Sequence, residues 1–236
     1  MMDSSSDEAE AAANRYQSLF LPDVAGISSR DLLSDSLCSS PSTSKCKWSF
    51  HGHNVLLVDV RTDSERGVSM ISGAVSLNDF KTNVLPSLQA KSEDSALPDM
   101  IMTYCTIGYR SGVEGRKLIN DYPDIFVGFQ NDDKGTLEEG RSRTVVGNLD
   151  GIIPFANASL EHVSGELTTT IEPLIIDRKT KTATKRVHVY GPSWKKYLNP
   201  NYDAITFSRL EFAWRGLSVL FRSFLSNFLS CTCCKS

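Results

Sequence analysis

One short stretch, Tyr104 to Gly112, places the strongest constraint on how this chain folds and what it does. It follows an apolar run, Met100 to Met102, that has the length of a buried strand. It precedes Val113 to Tyr122, whose apolar positions have helical spacing. Cys105 is therefore expected where a strand ends and a helix begins. Loop amides and a helix N-terminus at such a junction stabilise negative charge, and Arg110 adds a full positive charge.

Cys105 is accordingly a candidate nucleophile. A cysteine after an apolar strand is more often a small buried hydrophobic side chain. Here, however, the expected field favours the thiolate, which is the form of cysteine that attacks a substrate. Gly108 permits a tight loop, and Ser111 is a candidate cap for the following helix. The candidate substrate-binding residues are those of the loop, namely Thr106, Ile107, Gly108, Tyr109 and Arg110.

Length and composition exclude several classes of protein. With 236 residues, of which 40% are hydrophobic and 22% charged, the chain is expected to hold one sizeable core with tails. The formal net charge of -3 provides no basic surface for nucleic acid. The acidic N-terminus, MMDSSSDEAEAAA, has no apolar run and no arginine. No signal or transit peptide is therefore expected, and the predicted location is cytoplasmic.

Three segments resemble the rhodanese family. The family's active-site loop, Cys-x-x-Gly-x-Arg-Ser, is matched from Cys105 to Ser111. Val55 to Ala74 resembles the family's Asp-Val-Arg strand with its acidic residue and Ile-x-Gly-Ala turn, and Asn148 to Asn157 resembles the segment after the last core strand. Two positions depart from the family pattern: Met70 stands where His is most common, and Gly151-Ile152 replaces a common Gly-Gly.

The resemblance covers roughly residues 28–203 and implies a rhodanese-like domain, an α/β fold with a central parallel sheet flanked by helices. It also implies sulfurtransferase activity without a cofactor. Cys105 would take the outer sulfur from a donor such as thiosulfate, hold it as a persulfide and pass it to a thiol or another nucleophile. The amides of residues 106–110 would stabilise the persulfide, and Arg110 would balance an anionic donor. The implied partners are a small sulfur donor and a thiol acceptor.

Two other functions stay open. Cell-cycle phosphatases of the same fold use a Cys-x5-Arg loop that encloses a phosphate, whereas four residues separate Cys105 from Arg110 here. The shorter loop suits a single sulfur atom better than a phosphate. The second alternative is a non-catalytic, membrane-associated binding module, against which the intact cysteine argues.

Hydrophobic runs and local composition predict the structure of the other segments. Val55 to Val60 is an aliphatic run interrupted only by Asp59, which predicts a strand covered on both faces and hence a parallel sheet. Residues 1–27 are expected to be a disordered N-terminal tail, although Glu8 to Phe20 has the composition of a short helix. Residues 123–143 are rich in Asp, Gly, Glu and Arg and are interpreted as an inserted surface loop.

The remaining charged and polar residues are interpreted as structural. Asp59 and Arg61 lie at the end of the aliphatic run and are expected to form a buried ion pair that holds the fold. No metal site is predicted, because the histidines are dispersed without ligand spacing. They are His51, His53, His162 and His188.

Residues 204–236 are predicted to form an amphipathic helix with a Cys-rich terminus. Large apolar residues recur there at steps of four and three, which places them on one helical face. They are Leu210, Trp214, Leu217, Phe221, Phe224 and Phe228. Because Arg222 interrupts the run, the ~20 uncharged residues needed to span a bilayer are missing, and residues 207–234 would lie on a membrane surface. Packing of the stripe on the domain or on a partner helix is the alternative.

The cysteines fit the same interpretation. Cys231, Cys233 and Cys234 follow the predicted helix directly, where S-palmitoylation would add a second anchoring signal. The six cysteines have no spacing that suggests a disulfide framework or a zinc site. The sequence contains no indication of the oligomeric state.

Overall fold

The computed structural model describes residues 4–20, 24–35, 48–90, 97–129, 143–165 and 174–207. These residues form a mixed α/β fold in which helices flank a central, mostly parallel sheet. The predicted amphipathic helix of residues 204–236 lies outside the described residues, except for its first four positions. Within the described ranges, no helix is both long enough and apolar enough to cross a membrane.

Strands and helices are interspersed along the chain. The strands are β1 (Gly26–Ile27), β2 (Trp48–Phe50), β3 (His53–Asp59), β4 (Met70–Ile71), β5 (Val75–Ser76), β6 (Met100–Tyr104), β7 (Phe126–Gly128), β8 (Thr144–Leu149), β9 (Ile175–Ile176), β10 (Arg186–His188) and β11 (Asp203–Ile205). The helices are α1 (Ser4–Phe20), α2 (Ser29–Asp35), α3 (Asp63–Arg66), α4 (Leu77–Asp79), α5 (Leu85–Gln89), α6 (Tyr109–Asp121) and α7 (Ile152–Gly165). A π-helical turn, Phe80–Val84, joins α4 to α5, and a 3-10 helix, Pro192–Tyr197, precedes β11.

Three parallel strands form the middle of the sheet in the order β8, β6, β3. Two short strands, β2 and β5, share the outer edge of β3, and β7 and β1 share the outer edge of β8. Asp59 pairs with Tyr104 in the register, and Thr103 pairs with Asn148. Because the middle strands run in the same direction, their carboxyl ends meet at one edge of the sheet, where α/β folds usually bind ligands.

The central strand β6 is buried on both faces, as its apolar sequence predicts. Its side chains alternate between the two sides of the sheet. Met100, Met102 and Tyr104 join the core beneath α2 and α7, whereas Ile101 joins the core formed with α6 and the segment 80–89. The strand that leads to Cys105 is therefore held by packing from both sides.

The N-terminal segment differs from the disordered tail predicted over residues 1–27. It contains α1, in which Ala9 and Ala13 are buried, and β1, which pairs with the end of β8. Arg30 ties α1 to the rest of the chain through Asp7 and Glu10, at N–O distances of 2.7 and 3.1 Å. Alanines carry the buried face of α1 and β1 has only two residues, so neither produces a strong hydrophobic pattern.

The predicted inserted loop, residues 123–143, also differs in part. β7 lies within it and pairs in parallel with the start of β8, and Phe126 is buried against Phe80 and Tyr122. Residues 130–142 of the predicted loop lie outside the described residues.

After α7 the chain returns to the carboxyl edge of the sheet. β9 pairs antiparallel with β4, and β10 pairs in parallel with β11. Nη1 of Arg178 lies 2.7 Å from Oδ1 of Asp63, the first residue of α3. This C-terminal segment, residues 174–207, is therefore attached to the elements that follow β3.

Candidate functional site

Cys105 is the first residue after β6, at the carboxyl end of the central strand. It is buried, with 1% of its surface exposed. Residues 105–108 form a tight loop, and α6 then begins at Tyr109, earlier than the predicted start at Val113. The order of strand, cysteine and helix predicted from the sequence is confirmed.

The first two carbonyls of this loop are held by the N-terminus of α7. The amide of Ile152 donates to the carbonyl of Cys105 at 2.9 Å, and the amide of Ile153 donates to that of Thr106 at 3.3 Å. In a trans peptide, the C=O and the following N–H point in opposite directions. The amides of Thr106 and Ile107 are therefore turned away from α7. These two loop peptides have the orientation that an anion-binding loop requires.

Gly108 closes the loop in the left-handed conformation, with φ of 89°. Its carbonyl accepts hydrogen bonds from the hydroxyl of Ser111 at 3.0 Å and from the side-chain amide of Asn148 at 2.9 Å. Gly108, and not Ser111, is the residue that caps α6. Ser111 instead holds the loop through its hydrogen bond to the Gly108 carbonyl. Only glycine adopts this conformation without strain, so the tight turn predicted at this position has a backbone reason.

Gly151 allows the loop to lie against the start of α7. It has a φ of 123°, and a Cβ added there would lie 2.5 Å from the carbonyl oxygen of Thr106 and 2.6 Å from the amide nitrogen of Ile107. Any larger residue would push directly on the peptide that joins Thr106 to Ile107. The glycine is thus required both by its backbone conformation and by the close approach.

The residue before it, Asp150, is a fully buried carboxyl group. Its Oδ2 accepts from the backbone amide of Ser29 at 3.0 Å, and its Oδ1 accepts from the Ser29 hydroxyl. Burial raises the pKa of Asp150 to about 7, although the hydrogen bonds from Ser29 act in the opposite direction. Asp150 therefore links the start of α2 to the segment that supports the Cys105 loop.

Arg110 does not project freely into solvent, because Glu65 binds it. Nη2 of Arg110 donates to Oε1 of Glu65 at 2.6 Å, and Nη1 donates to Oε2 at 3.0 Å. Nη2 also lies 3.3 Å from the hydroxyl oxygen of Thr106. Thr62 donates its amide and its hydroxyl to Oε2 of Glu65, in a capping box at the start of α3. The loop is therefore anchored to α3 through one bidentate ion pair.

Two side chains of the C-terminal segment complete the surroundings of this pair. The buried ring of His188 places Nδ1 3.4 Å from Oε1 of Glu65, and the Tyr190 ring lies 5.5 Å from the guanidinium carbon of Arg110. Burial alone would raise the pKa of Glu65, but the nearby His188 ring and the hydrogen bonds from Arg110 outweigh it and hold that pKa well below its usual range. Glu65 is therefore ionised wherever the protein is folded near neutral pH.

A second ion pair is fully buried at the carboxyl end of β3, next to Tyr104 of β6. Arg61 donates to both oxygens of Asp59, with an Nη2–Oδ2 distance of 2.6 Å, and both side chains are fully buried. The Tyr104 hydroxyl donates to Oδ2 of Asp59 at 2.8 Å and accepts from the amide of Ile71 at 3.2 Å. The prediction that Asp59 and Arg61 form a buried structural pair is confirmed.

The predicted loop residues, Cys105 to Arg110, lie together at the carboxyl edge of the sheet. Sequence reasoning missed Glu65, His188 and Tyr190, which the fold brings to Arg110 from two distant segments. The capping-box pattern Thr62-x-x-Glu65 was a usable signal for a helix start, but not for the pairing with Arg110.

Other predicted sites are not brought into this region. The lipidation candidates Cys231, Cys233 and Cys234 lie outside the described residues. Within the part of the chain that the structure describes, no group of three or more His, Cys, Asp or Glu side chains is arranged to hold a metal ion.

Comparison with known proteins adds little to this geometry. No protein-family model matches the chain, and no curated protein is significantly similar to it. A similar solved structure is that of a protein of unknown function from Rhodopseudomonas palustris, described as a possible tyrosine phosphatase. The two chains are 14% identical, the match covers 64% of this chain and 90% of the other, and the TM-score is 0.30. At that level of similarity, the match assigns no function to this chain.

Proposed function

We propose that this protein is a rhodanese-type sulfurtransferase that carries sulfane sulfur as a persulfide on Cys105. The main support for this proposal is the set of hydrogen bonds that the loop carbonyls accept. The carbonyls of Cys105 and Thr106 accept from the start of α7, and that of Gly108 accepts from Ser111 and Asn148. The amides that follow these carbonyls are turned the other way, and we expect them to stabilise an anionic sulfur on Cys105.

The reaction takes two displacement steps at sulfur. The Cys105 thiolate attacks the outer sulfur of a donor such as thiosulfate, and the bond from that sulfur to the sulfonate group breaks, so that sulfite leaves with the electron pair. The thiolate of an acceptor then attacks the outer sulfur of the persulfide, and the Cys105 thiolate is the leaving group. No oxidant or reductant is consumed. Both steps keep a negatively charged sulfur in the loop, which its amides favour.

A phosphatase of the same fold is the alternative enzyme. A phosphate needs more room than a single sulfur atom, and four residues separate Cys105 from Arg110. Recognition of phosphate also uses the two-pronged hydrogen bonding of arginine. Both Nη atoms of Arg110 already donate to Glu65. The loop length favours sulfur transfer over phosphate hydrolysis, and one face of the Arg110 guanidinium is already used by Glu65.

A second part of the proposal is that residues 207–234 dock the protein on a membrane surface. It rests on the amphipathic spacing and on the adjacent Cys231, Cys233 and Cys234, which would carry palmitate. A non-catalytic, membrane-associated module would show the same docking without sulfur transfer.

The proposed activity is tested by incubating the purified protein with excess thiosulfate and measuring its intact mass. We expect the mass of one added sulfur atom, located on Cys105 by peptide mapping and released by a thiol acceptor. Cys105→Ser should gain nothing. Hydrolysis of p-nitrophenyl phosphate without any sulfur loading would indicate the phosphatase instead, and the absence of both activities would indicate a binding module.

A further inference from the structure

The positive charge at the end of the Cys105 loop is neutralised by a carboxylate. Arg110 is the only charged residue between Cys105 and Ser111. Its guanidinium forms two hydrogen bonds with Glu65, whose carboxylate is 5% exposed. The pair as a whole is neutral, so Arg110 contributes little net attraction for a further anion.

The neighbouring arginines have carboxylate partners too. Arg61 is fully buried on Asp59, and Arg66 and Arg178 both bind Oδ1 of Asp63, at 2.6 and 2.7 Å. Arg66 and Arg178 share one carboxylate and so keep one net positive charge, but Asp63 is 78% exposed and water screens this charge. A small inorganic dianion entering this site would leave bulk water, and the guanidinium of the loop itself, Arg110, is already neutralised by Glu65. That transfer is costly for a doubly charged ion.

Two residues next to Arg110 carry exposed aromatic rings. Tyr109 is 42% exposed and Tyr190 is 48% exposed, and these are the large hydrophobic side chains that stand out at the surface of the described residues. Tyr109 precedes Arg110 directly, and the ring of Tyr190 lies 5.5 Å from its guanidinium carbon. Exposed aromatic rings beside a reactive group commonly provide contact area for an apolar ligand group.

Building on the proposed sulfurtransferase function, we propose that this site selects a sulfane-sulfur donor whose sulfur is carried on an aromatic or apolar organic group. Tyr109 and Tyr190 are specificity-determining residues that contact this group. The site discriminates against a small inorganic dianion, so thiosulfate serves as a donor at high concentration but is not the preferred substrate.

The reaction with such a donor balances in the same way as with thiosulfate. With benzenethiosulfonate as a probe, the Cys105 thiolate bonds to the outer sulfur, the bond from that sulfur to the sulfonyl sulfur breaks, and benzenesulfinate leaves with the electron pair. Methanethiosulfonate reacts identically and has the same single charge but no ring. Thiosulfate has two charges and no ring. The three probes therefore separate the effect of charge from the effect of the aromatic group.

The test measures kcat/KM for sulfur loading with each donor, divided by the rate constant of the same donor with a free thiolate in solution. We expect the full chain to prefer benzenethiosulfonate over methanethiosulfonate on this scale. Tyr190→Ala should lower kcat/KM for benzenethiosulfonate by about fivefold, the effect of one lost aromatic contact, and leave the other two donors within about twofold. Tyr190→Phe keeps the ring and should match the wild type. Tyr109→Ala provides an independent second variant.

A variant of Glu65 tests the charge argument separately. Glu65→Gln keeps the shape of the side chain but removes the charge that compensates Arg110. It should raise kcat/KM for thiosulfate relative to methanethiosulfonate, because Arg110 then attracts the dianion. Each variant is checked by thermal unfolding.

The outcomes distinguish this inference from the proposed function. If the wild type loads sulfur but uses thiosulfate as well as the aromatic donor, or if Tyr190→Ala slows all donors equally, the specificity is wrong while sulfur transfer stands. Equal slowing would mean that Tyr190 only holds Arg110 in place. If no donor loads Cys105, the sulfurtransferase function itself is wrong.

Discussion

Glu65 and Arg110 are separated by 45 residues in the chain, yet they are joined by hydrogen bonds of 2.6 and 3.0 Å. This pair connects the capping box of α3 to the first turn of α6, directly after the Cys105 loop. The pair also changes the role expected for Arg110. The guanidinium is a structural part of the loop wall, and its charge is shared with a buried carboxylate.

The first prediction concerns Cys105→Ser, which should abolish sulfur transfer and leave the fold unchanged. The hydroxyl is smaller and is not ionised near neutral pH, so the nucleophile is lost while the loop hydrogen bonds remain. The loss is measured as loading from all donors, and the fold by thermal unfolding. Turnover by the purified variant would refute the persulfide mechanism.

A second prediction follows from the Glu65–Arg110 pair. Arg110→Ala should lower the free energy of unfolding by about 2 kcal/mol, because it leaves the carboxylate of Glu65 buried with fewer partners. The double variant Glu65→Gln, Arg110→Ala should recover part of the loss. Lys117→Ala is the control, because its pair with Glu114 is exposed and should change stability by less than about 0.5 kcal/mol. Additive single effects in urea unfolding would contradict the coupling.

Gly151→Ala tests the close approach between α7 and the loop. The added methyl would meet the Thr106 carbonyl oxygen at 2.5 Å, so we expect a loss of about 3 kcal/mol in stability together with slower sulfur loading. Gly191→Ala is a matched control, because its φ is extended and a Cβ there meets nothing within 4 Å. Equal effects of the two substitutions would show that Gly151 is not under steric constraint.

The buried Asp150 predicts a dependence of stability on pH. Its pKa rises from the usual value of 3.8 to about 7 in the folded state, so the folded protein holds this proton more tightly than the unfolded chain. The contribution to stability is fully present below about pH 4 and declines as the pH rises to about 7. Asp150→Asn cannot ionise and removes this decline.

Urea unfolding at about pH 5 and about pH 8 provides the measurement. Relative to the wild type, Asp150→Asn should gain stability between the lower and the higher pH. Asp121→Asn, at an exposed position at the end of α6, should show no such change. A constant difference between Asp150→Asn and the wild type would mean that Asp150 does not titrate in this range.

The last prediction concerns membrane docking by residues 207–234. In cells, the full chain should sediment with membranes, whereas a chain that stops after Phe207 should stay in the soluble fraction. That end point keeps β11 intact, together with the contact between Phe207 and His188. Replacing Cys231, Cys233 and Cys234 by Ser should weaken membrane binding without changing sulfur loading. If all three proteins were equally soluble, the anchor would be disproved.

The predictable part of the fold is the part with strong local patterns. Met100 to Met102 is a continuous apolar run and Val55 to Val60 is interrupted only by Asp59. The first lies in the buried parallel strand β6, and the second coincides with most of β3. The position of Cys105 at a strand end could be predicted because it lies between such a run and a helical pattern. The segments that were misjudged have weak local patterns, such as the alanines of α1 or the three-residue β7, whose buried Phe126 packs on the distant Phe80.

The surroundings of Arg110 could not be predicted in the same way. Glu65 follows β3, whereas His188 and Tyr190 follow a long excursion after α7. Nothing in their local sequence indicates that they meet. Only the parallel register of β3 with β6, and the return of β9 to β4, bring them to the same edge.

Because β9 and β10 lie late in the chain, they affect when the site can form during synthesis. A nascent chain contains Cys105, Arg110 and Glu65 long before it contains His188 and Tyr190. Because a domain folds as a unit, the site is not complete when Cys105 leaves the ribosome. The wall around Arg110 can form only after β9 and β10 have been synthesised, so the site is completed late in translation.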